Sequence, residues 1–247
     1  MSGVKSLGRT LLAEGLGSAL LAALVVGSGI AAQQLSDDVG LQLLENAAAT
    51  AAGLFAIILM FGPVSGAHFN PVVSLTDAVL GALPWRTAAA YVLVQLLGCV
   101  AGAVLANVMF AQPAVSISNT ERATGPHLLA EVVATAGLVL VIFSLARSGR
   151  ASIAPGAVAA YIGAAYWFTS STSFANPAIT VGRMFSDTFA GIAPSSAPAF
   201  VVAQLAGGAL GVVLVRVLYP GLTSTEAADA VVPSENSKLS LSRPSGA

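Results

Sequence analysis

Apolar residues gather into six long runs, at roughly 7–32, 46–62, 84–110, 127–147, 155–171 and 197–219. Each is near the ~20 residues that a helix needs to cross the ~30 Å hydrocarbon core of a bilayer, the second and fifth being short. Two stretches between them, 65–83 and 172–193, are neither polar loops nor full spans. Each holds an Asn-Pro step followed by about ten apolar residues. Asn favours the cap of a helix and Pro its first position, so Asn70-Pro71-Val72 and Asn176-Pro177-Ala178 both read as helix starts. Ten helical residues cover about 15 Å, half the core. The pattern therefore predicts an all-α membrane protein with six transmembrane helices and two re-entrant half-helices. Irregular backbone at that depth must be buried in protein or line a water-filled cavity.

The two halves repeat. Leu11-Leu12-Ala13-Glu14 matches Leu128-Leu129-Ala130-Glu131, Ala90 to Gln95 matches Ala199 to Gln204, Gly98 and Gly102 match Gly207 and Gly211, and Asn70 matches Asn176. Three spans per unit is an odd number, so the second copy enters from the opposite side. The repeat is inverted, and a site is expected where its halves meet, near the midplane. The units are placed at 1–118 and 119–222. From about Thr223 the chain turns polar and Ser-rich, and 223–247 is expected to be a disordered cytoplasmic tail.

Composition agrees with a membrane protein: 56 % of residues are hydrophobic, 9 % are charged and the mean hydropathy is +0.85, where a soluble domain carries about 25 % charged residues. A net charge of −1 gives no field to attract nucleic acid. The single cysteine, Cys99, excludes an internal disulfide framework and a cysteine zinc site, and His68 and His127 cannot form a histidine cluster. No metal or cofactor is expected. The first run follows Lys5 and Arg9 as a signal peptide would, yet its roughly 20 apolar residues exceed the about 7–15 of a signal core, so it is read as an uncleaved span. With the N-terminus inside, Lys5, Arg9, Arg86, Arg147, Arg150, Arg216, Lys238 and Arg243 are cytoplasmic and only Arg122 and Arg183 are outside. That bias places both termini in the cytoplasm of a cell bearing this protein in its (inner) membrane. Asp37, Asp38 and Glu45 then fall in an exterior loop.

Two half-helices meeting N-terminus to N-terminus place positive potential at the bilayer centre. Asn70 and Asn176 would each offer a side-chain N–H to a passing solute. Neutral solutes with oxygen acceptors are held there, while cations meet desolvation and the wrong sign of field. Glu14 and Glu131 are intramembrane acids and should face the protein interior. They could hold a coupled proton, or accept hydrogen bonds from the irregular backbone before each half-helix; the second role is favoured, with Gln95 and Gln204 assigned to the same support.

Six spans, an inverted repeat and two buried Asn-Pro half-helices resemble the aquaporin (major intrinsic protein) family. The resemblance is carried by Ser65-Gly66-Ala67-His68-Phe69-Asn70-Pro71-Val72, by Asn176-Pro177-Ala178, and by Glu14, Glu131, Gln95 and Gln204, and it covers about residues 7–220. It implies a passive channel rather than an enzyme, in a lipid bilayer, as a homotetramer with one pore per subunit. Val72 stands where the family's first motif usually has Ala. Relatives mostly carry Arg directly after the second motif, where this chain has Ile179. Family spacing puts the other constriction positions at Thr50, Ala164 and Ser173. The implied opening is wide and uncharged, suited to water, glycerol-like polyols, urea and undissociated metalloid acids such as arsenous acid. The run Ser186 to Ile192 looks like the bacterial subgroup associated with arsenic-resistance operons.

Arg183, one turn beyond Ile179, is expected to pair with Asp187 at i+4 rather than swing toward the mouth. His68 either donates to a loop carbonyl or lines a vestibule. Asp77 is expected to be solvated or paired with Arg86, Cys99 to be a packing residue, and Trp85, Tyr219 and Tyr166 to Phe168 to sit in interfacial belts. Two other functions compete: a water-selective aquaporin, and a proton-coupled secondary transporter using Glu14 and Glu131. An enzyme lacks support in a metal cluster, a Ser-His-Asp set or a phosphate loop.

Overall fold

The computed structural model describes residues 6–220; Lys5, Lys238, Arg243 and the expected tail 223–247 lie outside the described residues. Eight α-helices follow one another: α1 (Leu7–Leu35), α2 (Val39–Ser65), α3 (Pro71–Val79), α4 (Trp85–Met109), α5 (Gly125–Arg147), α6 (Ala154–Phe168), α7 (Pro177–Arg183) and α8 (Ala197–Leu218). A 3-10 turn, Ala151–Ile153, leads into α6. Six of these segments are long and apolar enough to cross a membrane. The other two, α3 and α7, have nine and seven residues. Large side chains such as Leu12, Leu97, Leu129 and Val202 stay exposed on the outside of the bundle, as lipid or a neighbouring apolar surface requires.

The second span starts at Val39, seven residues before the predicted 46, so Glu45 belongs to a helix and not to an exterior loop. Two polar residues there are held by hydrogen bonds, one at the helix start and one to α1. Asp38 accepts from the Leu41 N–H at 2.9 Å and caps the helix. Asn46, buried, donates to the Val25 carbonyl at 2.9 Å and to Ser28 Oγ at 2.8 Å. The fifth span ends at Phe168, not at 171.

Packing is closest between α1 and α4 and between α5 and α8. Glycine is what permits it. A Cβ on Gly102 would lie 2.0 Å from the Ala19 carbonyl oxygen, and one on Gly207 would lie 2.5 Å from that of Val132. Small residues at such crossings let backbones touch where lipid offers no hydrophobic gain for association. These two tight pairs, with α2 and α6 between them, hold α3 and α7 inside the bundle.

Candidate functional site

Each half-helix begins at the Asn-Pro step that predicted it. Asn70 Oδ1 accepts from the Val72 N–H at 2.9 Å, and Asn176 Oδ1 accepts from Ala178 at 2.9 Å and Ile179 at 3.2 Å. Pro71 and Pro177 occupy first-turn positions where an N–H would lack a helical partner. The amides also cross over. Asn70 Nδ2 donates to the Ala175 carbonyl at 2.7 Å, and Asn176 Nδ2 donates to the Phe69 carbonyl at 2.8 Å. The two helix starts are thereby tied tip to tip. Each amide nitrogen carries a second hydrogen, and both asparagines line one cavity inside the bundle.

The lead-in loops are bent alike. Gly66, Ala67 and Phe69 have φ of 95°, 52° and 49°; Thr172, Ser173 and Ala175 have 61°, 51° and 48°. For residues with a Cβ this left-handed region is costly and persists only under external constraint. The acids supply the constraint. Glu14 accepts from Ser65 Oγ (2.6 Å), the His68 N–H (3.0 Å), the Phe69 N–H (2.8 Å) and Gln95 Nε2 (2.8 Å). Glu131 accepts from the N–H groups of Phe174 (2.9 Å) and Ala175 (2.8 Å) and from Gln204 Nε2 (2.7 Å). Gln95 donates onward to Ser74 Oγ at 3.0 Å, and Gln204 to Thr180 Oγ1 at 2.9 Å. Both carboxylates are fully buried, and neither lines the cavity.

The cavity wall is mostly aliphatic, with Leu21, Val25, Leu54, Ile58, Val73, Leu138, Ile142, Val158 and Ile162. Thr50, Ser173 and Ile179, three of the four expected constriction residues, line it. Ala164 does not: it is exposed on the outside of α6. Val158, Ile162 and Tyr166, four residues apart, form the inward face of that helix, and Ala164 is half a turn away from it. Tyr166, expected in an interfacial belt, is instead 3 % exposed and places its hydroxyl 3.2 Å from Thr50 Oγ1. Trp167, Phe168 and Trp85 are exposed. Val72 is buried but is not a lining residue; its side chain faces Gly208. Ala178 is likewise buried off the cavity.

Three polar residues depart from expectation. Arg183 makes no pair with Asp187, which accepts instead from the backbone and side-chain nitrogens of Asn119 at 3.0 and 3.1 Å. The Arg183 Nε donates to the Ala190 carbonyl, its Cζ lies 3.4 Å from the centroid of the Phe174 ring, and the residue lines the cavity. Asp77 is buried and lies 3.7 Å from His68 Nε2, not beside Arg86. His68 lines the cavity, with Nδ1 3.1 Å from Ser74 Oγ. Sequence reasoning placed Arg122 in an exterior loop without a role. It binds the carbonyls of Gly191 at 2.7 Å and Phe189 at 3.0 Å, and its Cζ lies 5.4 Å from the Phe174 centroid. Burial pushes its guanidinium below the ordinary value, opposed by the Glu131 charge. Cys99 is wholly buried at the close approach of Gly182 and stays a packing residue.

Comparison with known proteins agrees with this geometry. The sequence description of the family named Major intrinsic protein matches residues 2–173. The aquaglyceroporin AqpS of Rhizobium meliloti (strain 1021) is 48 % identical over 209 residues, 84 % of this chain and 89 % of that protein. Aquaporin Z of Brucella melitensis is 32 % identical over 221 residues, 83 % of this chain and 90 % of that one. Among solved structures, the aquaglyceroporin from Plasmodium falciparum shares the fold, with a TM-score of 0.64 at 21 % identity, covering 87 % of this chain and 96 % of that one. With its paired half-helices, its cavity and a family match over most of its length, the chain belongs to the major intrinsic protein family.

Proposed function

We propose that this multi-pass membrane channel, which is not an enzyme, passes small neutral solutes passively: water and glycerol-like polyols first, with urea and undissociated arsenous acid among its cargo. The observation that carries the reading is the pair Asn70 and Asn176, bound tip to tip and lining a single cavity. Each keeps one amide hydrogen for a solute oxygen. The aliphatic wall supports an amphipathic cargo. A polyol turns its CH groups to Leu21, Val25, Leu138 and Ile142 and its hydroxyls to the half-helix side. Arsenous acid, neutral at ordinary pH and bearing three hydroxyls, offers the same donors and acceptors. The name of AqpS, aquaglyceroporin, supports the polyol class.

Proton-coupled transport loses its main support, because Glu14 and Glu131 are saturated by loop donors and lie off the conduit. A water-selective pore gains one observation, the bulky Tyr166 at the wall where Ala164 was expected. The channel works in the (inner) cell membrane with its termini in the cytoplasm, as a homotetramer with a pore in each subunit. Stopped-flow vesicle assays at equal osmolarity, with water, glycerol, urea and arsenite and with or without a proton gradient, test the whole reading. Downhill glycerol flux that ignores the gradient is expected. Accumulation against concentration would overturn passive transport, and water flux alone would leave the water-selective reading.

A further inference from the structure

We propose that the guanidinium of Arg183 is the fixed charge and hydrogen-bond donor of the constriction beside α7, the place where the residue directly after the second Asn-Pro-Ala, Ile179, supplies neither. The proposal rests on the channel reading above. Helical side chains lean back over the turn that precedes them, so a long side chain at position 183 covers the level of Ile179, one turn earlier. The contacts agree. The Arg183 Cζ lies 3.4 Å from the ring centroid of Phe174, the neighbour of Ser173, and all four residues line the same cavity.

Its plane is fixed on one side and free on the other. Nε donates to the Ala190 carbonyl, and the ring of Phe174 holds the face. The two Nη groups make no hydrogen bond among the described residues, although the side chain is only 2 % exposed and the residue lines the conduit. A buried guanidinium with idle donors is an unfinished hydrogen-bonding site. No carboxylate neutralises it within 4 Å among the described residues, since Asp187 is engaged by Asn119 and Glu131 by the lead-in loop. Arg122 adds a second positive group over the same ring. A solute oxygen can therefore accept from Arg183, whereas a cation in the cavity meets a guanidinium with no ion-pair partner at contact distance and a second positive group behind the same ring.

The repeat sharpens the point. At the offset of 106 residues that relates Asn70 to Asn176, Arg183 corresponds to Asp77 and Phe174 to His68. Asp77 lies against His68 as Arg183 lies against Phe174. One structural position thus carries an acid in one half, buried behind His68, and a base in the other, lining the cavity.

The test uses an isosteric pair, urea and guanidinium, one neutral and one cationic, with xylitol as a larger polyol. Permeabilities are measured in proteoliposomes for the wild-type channel, Arg183→Met, Ile179→Arg/Arg183→Met, Arg183→Lys and Asn176→Asp, each with a thermal unfolding midpoint. Arg183→Met is expected to admit guanidinium and to raise the xylitol-to-water ratio at least about threefold. Returning a guanidinium one turn earlier, in Ile179→Arg/Arg183→Met, is expected to reverse both changes. Should Arg183→Met fail to fold, Arg183→Lys is expected to exclude guanidinium while raising the xylitol ratio, because an ammonium cannot hold Ala190 and reach the conduit together. A folded Arg183→Met with wild-type ratios, or an Arg183→Lys identical to wild type, overturns the proposal. If Asn176→Asp alters flux while Arg183→Met does not, only the role of Arg183 falls. A wild-type channel that passes no solute sinks the channel reading itself.

Discussion

Glu131→Gln is the sharpest probe of what holds the pore in shape. The lead-in loop keeps Thr172, Ser173 and Ala175 in the left-handed region, at roughly 1–2 kcal/mol each, or about 3–6 kcal/mol together. Against this stand three hydrogen bonds to one buried carboxylate, from Phe174, Ala175 and Gln204, worth about 1.5–3 kcal/mol each when the acceptor is charged, or about 4.5–9 kcal/mol. The margin is small. Glutamine offers one oxygen. Placed where it keeps Ala175 and Gln204, it turns its amide nitrogen toward the Phe174 N–H, donor against donor. Losing that bond and weakening the rest costs roughly 2–4 kcal/mol, enough to consume the margin. Stopped-flow glycerol flux should fall about tenfold, and the unfolding midpoint should drop by several degrees, with and without a proton gradient alike. A variant with unchanged midpoint and downhill flux that has lost only gradient-dependent uptake would refute this account and make Glu131 a proton site.

Other outcomes follow from single contacts. Tyr166→Ala should raise the glycerol-to-water permeability ratio several-fold, because Tyr166 lines the cavity beside Thr50; Ala164→Leu should leave it unchanged, since Ala164 faces outward. Equal effects of the two would undo the assignment of the α6 face. Gly102→Ala forces a methyl to within 2.0 Å of the Ala19 carbonyl oxygen, so α1 and α4 must separate, at a cost of about 1–3 kcal/mol; a thermal midpoint equal to wild type would contradict it. Glu121 receives hydrogen bonds from Ser195 and Ser196, both 2.6 Å, which hold its carboxyl below the usual value. A lowered folded-state pKa adds stability above the unfolded pKa and loses it as pH falls through the folded one. Glu121→Gln should therefore remove that increment on the neutral side and flatten the acid side of the stability profile, as followed by thermal melts across that range.

Much of the architecture was written in local chemistry. Asn-Pro fixes a cap and a first turn at once, so the starts of α3 and α7 were placed to the residue, while their nine and seven residues fall short of the roughly ten expected. The Glu and Gln pairs stood out because such side chains are costly inside a membrane unless something binds them. The constriction was harder to read. Counting back from Asn176 fixes a position in the chain, not a face of the helix, and two residues on α6 rotate a side chain through about 200°; that is the difference between Ala164 and Tyr166. Arg183 was missed for a related reason. Spacing of i+4 offered Asp187 as a partner, but α7 ends at Arg183 itself, so the helical register needed for that pair stops before it begins. Nothing in the sequence marks the carbonyl of Ala190 as the acceptor, because a loop brings it there.

The inverted repeat also explains where selectivity can reside. Each asparagine donates to a carbonyl of the opposite loop, and those carbonyls, of Phe69 and Ala175, are themselves repeat equivalents. A reciprocal bond of this kind closes only if both loops share one shape, and the shared shape needs the same left-handed residues, the same acid and the same glutamine in each half. Symmetry is therefore a mechanical requirement at the centre and in the supports. It is not required of side chains that point into the conduit from beyond the tips. There the halves diverge: His68 against Phe174 and Val73 against Ile179, with Arg183 lining the cavity where its counterpart Asp77 is buried behind His68. A change at these positions alters what the pore admits without loosening the loops, whereas a change at Glu14 or Glu131 lowers the passage of every solute. Mutations of the first kind should shift permeability ratios, and mutations of the second kind should scale all permeabilities together.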